Sequence, residues 1–131
     1  MIKNRIAVFD VNTGDCTVTA EAVRDYYGAD KVQVEKFTDM QDFVQVFGVL
    51  NYFSDEFEAV FLSMDGMLGV EAGRNMRELN RSIPLFCVSN SGDYLFEAHR
   101  LHALDYLVKP VSSKNVGEAE ERIRRNRKRK F

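Results

Sequence analysis

Cysteine and histidine are scarce in this 131-residue chain, with two of each. Cys16 and Cys87 lie far apart with no CxxC spacing, so neither a disulfide framework nor a zinc cluster is expected, and both read as buried reduced thiols. His99 and His102 fall near one helical segment, away from any serine that would need a base. A nucleophile elbow is missing as well: Ser63 stands in F-L-S-M-D rather than G-x-S-x-G, and no convincing Asp…His pair follows, which argues against a serine hydrolase. No apolar run approaches the roughly 20 residues of a membrane span, and the apolar segment of MIKNRIAVFD is too short for a signal peptide. A cytoplasmic protein without a membrane partner is the expectation.

What is present is ordinary for a folded chain. Hydrophobic residues make up 45% and charged residues 29%, a globular composition long enough for one domain with its own core. The net charge of −2 hides an asymmetry: residues 122–130, RIRRNRKRK, hold seven basic residues and no acid, so the remainder carries a net −9. An acidic body and a basic tail are two different surfaces.

Strand and helix periods alternate along the body. Apolar runs cover Ile6–Asp10, Phe57–Ser63, Ile83–Ser89 and Leu104–Lys109, and an alternating run covers Lys31–Phe37. Between them lie amphipathic stretches. One runs to about Tyr27, with Thr13 or Asp15 as N-cap and Gly28 as stop. A second opens at Thr38 or Asp39 and continues to about Leu50. Others span about Val70–Leu79, after a loop MDGMLG, and Tyr94–Leu101, and the last starts near Ser112 and runs into the tail. Five strands alternating with five helices predict an α/β fold, a doubly wound parallel sheet with helices on both faces. The near-continuous apolar strands fit burial on both faces.

Four of the strands stop at a single polar residue: Asp10, Ser63, Ser89 and Lys109. In a parallel sheet these gather at the carboxyl edge, where open α/β sheets bind ligands. Lys109-Pro110 is the most specific local signal, since proline cannot continue the ladder and turns the chain. With Asp10, Ser89 and the βα alternation, the body from residue 5 to about 123 resembles the receiver domain of two-component response regulators. AHRLHALDYLVKP (residues 98–110) is most similar to receivers attached to LytTR-type DNA-binding domains. The resemblance implies a flavodoxin-like sheet of order 2-1-3-4-5.

The resemblance also implies a pocket, and this chain keeps half of it. Receivers place two adjacent acids after the first strand to hold Mg²⁺; here Asp10 is followed by Val11 and Asn12. The phosphate-accepting aspartate corresponds to Ser63. The hydroxyl residue is kept as Ser89, the lysine as Lys109, and Tyr106 takes the place of the switching aromatic. The loop after the third strand lacks the usual proline and is about two residues short. An aspartate attacks a phosphoryl group as an anion, whereas a serine hydroxyl must be activated. Mg²⁺ wants hard oxygen ligands, usually one or two carboxylates among them. With Ser63 and Val11 in place, a degenerate phosphoacceptor pocket is expected: no catalytic residue, no metal, no cofactor, and Lys109 paired with Asp10. Asp65 reads as a solvated turn aspartate before Gly66; the alternative is an active receiver using it as a surrogate acceptor or Mg²⁺ ligand.

The implied role is a non-enzymatic signalling domain (1–121) in transcription control. Its partners would be a sensor kinase or its own effector domain, with homodimerisation through the fourth helix and fifth strand. The tail (122–131) reads as the start of a linker to a DNA-binding domain outside this chain. Two other readings make the tail the frayed end of the last helix, where cations complement the macrodipole, or give it direct, salt-dependent contact with nucleic acid.

Overall fold

The computed structural model describes residues 4–49 and 57–129. Leu50, expected to close the second helix, lies outside them, as do Lys130 and Phe131 of the tail. The strands are β1 (Asn4–Phe9), β2 (Val32–Phe37), β3 (Ala59–Ser63), β4 (Leu85–Ser89) and β5 (Asp105–Val108). The helices are α1 (Thr13–Tyr27), α2 (Met40–Val44, continued by a π-helical turn over Gln45–Val49), α3 (Met67–Leu79), α4 (Leu95–Arg100) and α5 (Ser113–Arg129). All strand pairs are parallel and the sheet order is β2-β1-β3-β4-β5. The expected α/β architecture and flavodoxin-like order are therefore both present.

Alternation along each buried strand feeds two cores. Phe9, Leu62 and Cys87 pack with Phe43, Phe47, Met76 and Leu101 on the side of α2–α4. Val8, Phe61, Phe86 and Val88 pack with Cys16, Val23, Val116 and Ile123 on the side of α1 and α5. This two-sided burial is why the strands read as continuous apolar runs. Cys16 and Cys87 are buried free thiols, and burial pushes the Cys87 thiol up to about 12. No helix among the described residues is long and apolar enough to cross a membrane.

Two local expectations need correction. The α1 N-cap is Asn12 rather than Thr13 or Asp15, its side chain accepting from the Asp15 N–H at 3.0 Å. That leaves the Asp15 carboxylate free for other work. Helix α3 starts at Met67, three residues before the expected Val70. Gly66 adopts φ +87°, a left-handed turn that starts the helix at once, and Gly69 lets the first turn close on β3: a Cβ there would lie 2.0 Å from the Ser63 carbonyl oxygen. Helix α5 runs into the basic tail, as expected, and Ile123 there is buried.

Candidate functional site

Asp10 directly follows β1 and Lys109 directly follows β5, so both sit at the carboxyl edge. The Lys109 side chain is 7% exposed and the Asp10 side chain 4%. Lys109 Nζ reaches Asp10 Oδ2 at 2.8 Å, the expected ion pair. It also reaches Asp65 Oδ2 at 2.9 Å and Asp15 Oδ2 at 3.0 Å. A single ammonium, with its three donors, thus meets three carboxylates. Burial disfavours its charge, yet the hydrogen bonds to Asp10, Asp65 and Asp15 win and raise the lysine above its ordinary range.

Asp65 is where the sequence reading fails. It is not a solvated turn residue but the hub of the pocket. Its Oδ1 accepts from Ser89 Oγ at 2.5 Å and from the Asn90 backbone N–H at 3.2 Å. Its Oδ2 accepts from the Asn90 side-chain amide at 2.9 Å besides Lys109. Desolvation opposes ionisation, but the donors Ser89, Lys109 and Asn90 hold the carboxyl below its usual range. The short turn Met64–Gly66 brings it there, because α3 begins immediately afterwards. Asp65 therefore ties the loop after β3 to the loop after β4 and to the end of β5.

The remaining predicted residues take distinct places. Ser63 is 4% exposed, and its Oγ has no hydrogen-bond partner among the described residues. Val11 is 41% exposed and contributes no ligand. Ser89 is fully buried, and its Oγ also accepts from the Ser91 N–H at 3.2 Å. The half-buried Tyr106 donates its hydroxyl to the Ser91 carbonyl at 2.6 Å, and the Tyr94 hydroxyl accepts from the Gly66 N–H at 3.0 Å. Asp15 and Asn90 were missed. Asp15 was assigned to the helix cap, and Asn90 gave no signal beyond its place directly after a strand-terminal serine. Among the described residues, the carboxylates gathered here are Asp10, Asp15 and Asp65, and each places an oxygen on Lys109. A cavity of about 150 Å³ beside Lys109 and Pro110 is smaller than the roughly 300–1,000 Å³ of small-molecule pockets.

No family model and no curated protein matches the chain. Solved structures do. A response regulator receiver domain from Clostridium thermocellum is 16% identical, with a TM-score of 0.72 over 95% of this chain and 97% of that one. A CheY-like receiver domain from Methanospirillum hungatei is also 16% identical, with a TM-score of 0.71 over 97% and 98% of the two chains. The fold is that of a receiver domain. A third receiver-fold neighbour, a response regulator from Burkholderia pseudomallei with a phosphorylated aspartic acid and a calcium ion, is 15% identical. Its TM-score is 0.66 over 89% of this chain and 66% of that one. At the carboxyl edge of this fold, Asp10, Ser89 and Lys109 are joined by Asp65, which comes from two residues beyond the end of β3.

Proposed function

We propose that this chain is a receiver-like signalling domain that takes no phosphoryl group and binds no Mg²⁺. It acts through contacts with a sensor kinase or its own effector domain in transcription control. The observation that carries this reading is the closed set of contacts around Lys109 and Asp65. Ser63 occupies the acceptor position and offers a buried hydroxyl with no base beside it. Asp65, the substitute candidate, has both oxygens engaged by Ser89, Asn90 and Lys109. A carboxylate has about four acceptor sites, so an attacking oxygen would first have to surrender a charge-assisted hydrogen bond. The donor set does not fit Mg²⁺ either. A dication would have to displace a buried ammonium from three carboxylates, and Val11 supplies no replacement ligand.

The exposed apolar side chains Leu95, Phe96 and Val108 on α4 and β5 support a protein-contact surface there, and homodimerisation through it is part of the proposal. LytTR affiliation rests on the ALDYLVKP stretch, and the tail as a linker rests on its charge.

Magnesium titration followed by backbone amide shifts tests the pocket. The unmodified protein should give flat curves at Asp10, Val11 and Asp65, whereas Ser63→Asp combined with Val11→Asp should give saturable shifts. Saturable Mg²⁺ binding by the unmodified protein would favour the active-receiver alternative, in which Asp65 serves as ligand or acceptor.

A further inference from the structure

The amino edge of the sheet, opposite the Lys109 pocket, holds a different chemistry. Helices α3 and α4 run back to that edge, and a groove of about 460 Å³ lies between them, from Val70 in the first turn of α3 to Arg81 just past its end. Four arginines line it: Arg74 and Arg77 on α3, Arg81 just past its end, and Arg100 at the end of α4. Arg77 is consumed structurally. Its Nε donates to the Leu101 carbonyl at 2.6 Å and its Nη1 to the Ile83 carbonyl at 2.8 Å, which fixes the groove floor with no carboxylate partner among the described residues. His102 also lines the groove and holds φ +57°, a left-handed conformation uncommon outside glycine. That conformation closes helix α4, with the His102 N–H on the His99 carbonyl and the Ala103 N–H on the Ala98 carbonyl.

The groove is less neutralised than the tail. In α5, Arg122 pairs with Asp105 at 3.0 Å, Arg124 with Glu120 at 3.6 Å and Arg125 with Glu121 at 3.4 Å. Arg74 and Arg81, by contrast, have no carboxylate within 4 Å among the described residues, and Arg100 rests only over the Phe96 ring. Two acids, Glu78 and Glu97, share the groove. They interrupt any continuous basic strip that a nucleic-acid backbone would follow, and they can accept from hydroxyl or amino groups.

We propose that this groove binds a phosphorylated small molecule of nucleotide size. Guanidinium forks at Arg74, Arg81 and Arg100 match phosphate geometry. Planar guanidinium groups also stack on ring faces, and the volume falls within the ordinary range for small-ligand pockets. The site is independent of the Lys109 pocket and of its assignment.

ADP without divalent cation is the probe, with calorimetry for affinity and amide shifts for location. The whole chain should bind it with shifts centred on Arg74, Arg81 and Arg100, and adenosine should bind more weakly. Arg74→Gln with Arg81→Gln should weaken ADP at least about tenfold, the loss of about one charge-assisted hydrogen bond. Because both side chains are exposed and have no ion-pair partner among the described residues, the variant should unfold at the parental temperature. Arg127→Gln with Lys128→Gln should leave binding unchanged. Flat groove shifts up to about 10 mM ADP, unaltered affinity in the Arg74/Arg81 variant, or loss in the tail variant would overturn the proposal. So would a short DNA duplex that displaces ADP from the groove and binds more tightly.

Discussion

Replacing Lys109 with methionine removes the one cation on which Asp10, Asp15 and Asp65 converge, while keeping most of the side-chain volume. Asp10 carries the main cost, because its side chain is 4% exposed and cannot be rehydrated in place. Asp15 and Asp65 are 39% and 28% exposed, so water relieves much of their repulsion. Removing one partner of a buried ion pair costs about 3–5 kcal/mol. For a domain of this length that corresponds to a fall in Tm of roughly 10–18 °C. Urea unfolding by circular dichroism at pH 7, without divalent cations, measures the free energy, and calorimetry measures the Tm. The defect should shrink as the pH falls toward the carboxylate range, since protonation relieves the unpaired charges. Added Mg²⁺ should stabilise the variant and leave the parent unchanged, because only the variant leaves the three carboxylates without their shared cation. A loss below about 1 kcal/mol at pH 7, the level of a surface ion pair, would refute the reading of Lys109 as the pocket's internal counter-ion.

Two further predictions concern the same edge. Asp65→Asn should cost about 1–3 kcal/mol at neutral pH, because Ser89, Asn90 and Lys109 lose a charged acceptor. Since the folded Asp65 carboxyl lies below its unfolded value of 3.8, its contribution is present above that pH and lost as the pH falls through the folded value. The variant should therefore show a flatter acid limb in a stability–pH profile, and an unchanged limb would contradict the hub role. Gly69→Ala should be severe, about 3 kcal/mol or more, since its Cβ would lie 2.0 Å from the Ser63 carbonyl oxygen; a denaturation midpoint near the parent's would mean that α3 starts elsewhere.

Much of the architecture was legible because the strands are buried on both faces. Val8 and Phe9, or Phe86 and Cys87, serve opposite cores, so each strand reads as an unbroken apolar run ending in a polar residue. The 2-1-3-4-5 order came from the resemblance, since periodicity does not specify which strands neighbour one another. The start of α3 was misplaced because Gly66 and Gly69 read as loop signals, whereas one opens the helix and the other permits its contact with β3. That single error also hid Asp65: in a six-residue loop it belongs to solvent, but in a three-residue turn it faces Ser89 and Lys109. Asp15 was missed for a related reason. Asn12 takes the cap, which releases Asp15 toward a lysine 94 positions away. The basic tail looked more available than it is, because the acids that pair with Arg122, Arg124 and Arg125 lie outside it.

Incubation with a small-molecule phosphodonor and Mg²⁺, followed by intact-protein mass measurement, tests the central claim most directly. A receiver-like domain closed by Lys109 and Asp65 should show no phosphoryl adduct at any time point. A stable gain of one phosphoryl mass, abolished by Asp65→Asn, would show that the pocket is open and that Asp65 is its acceptor.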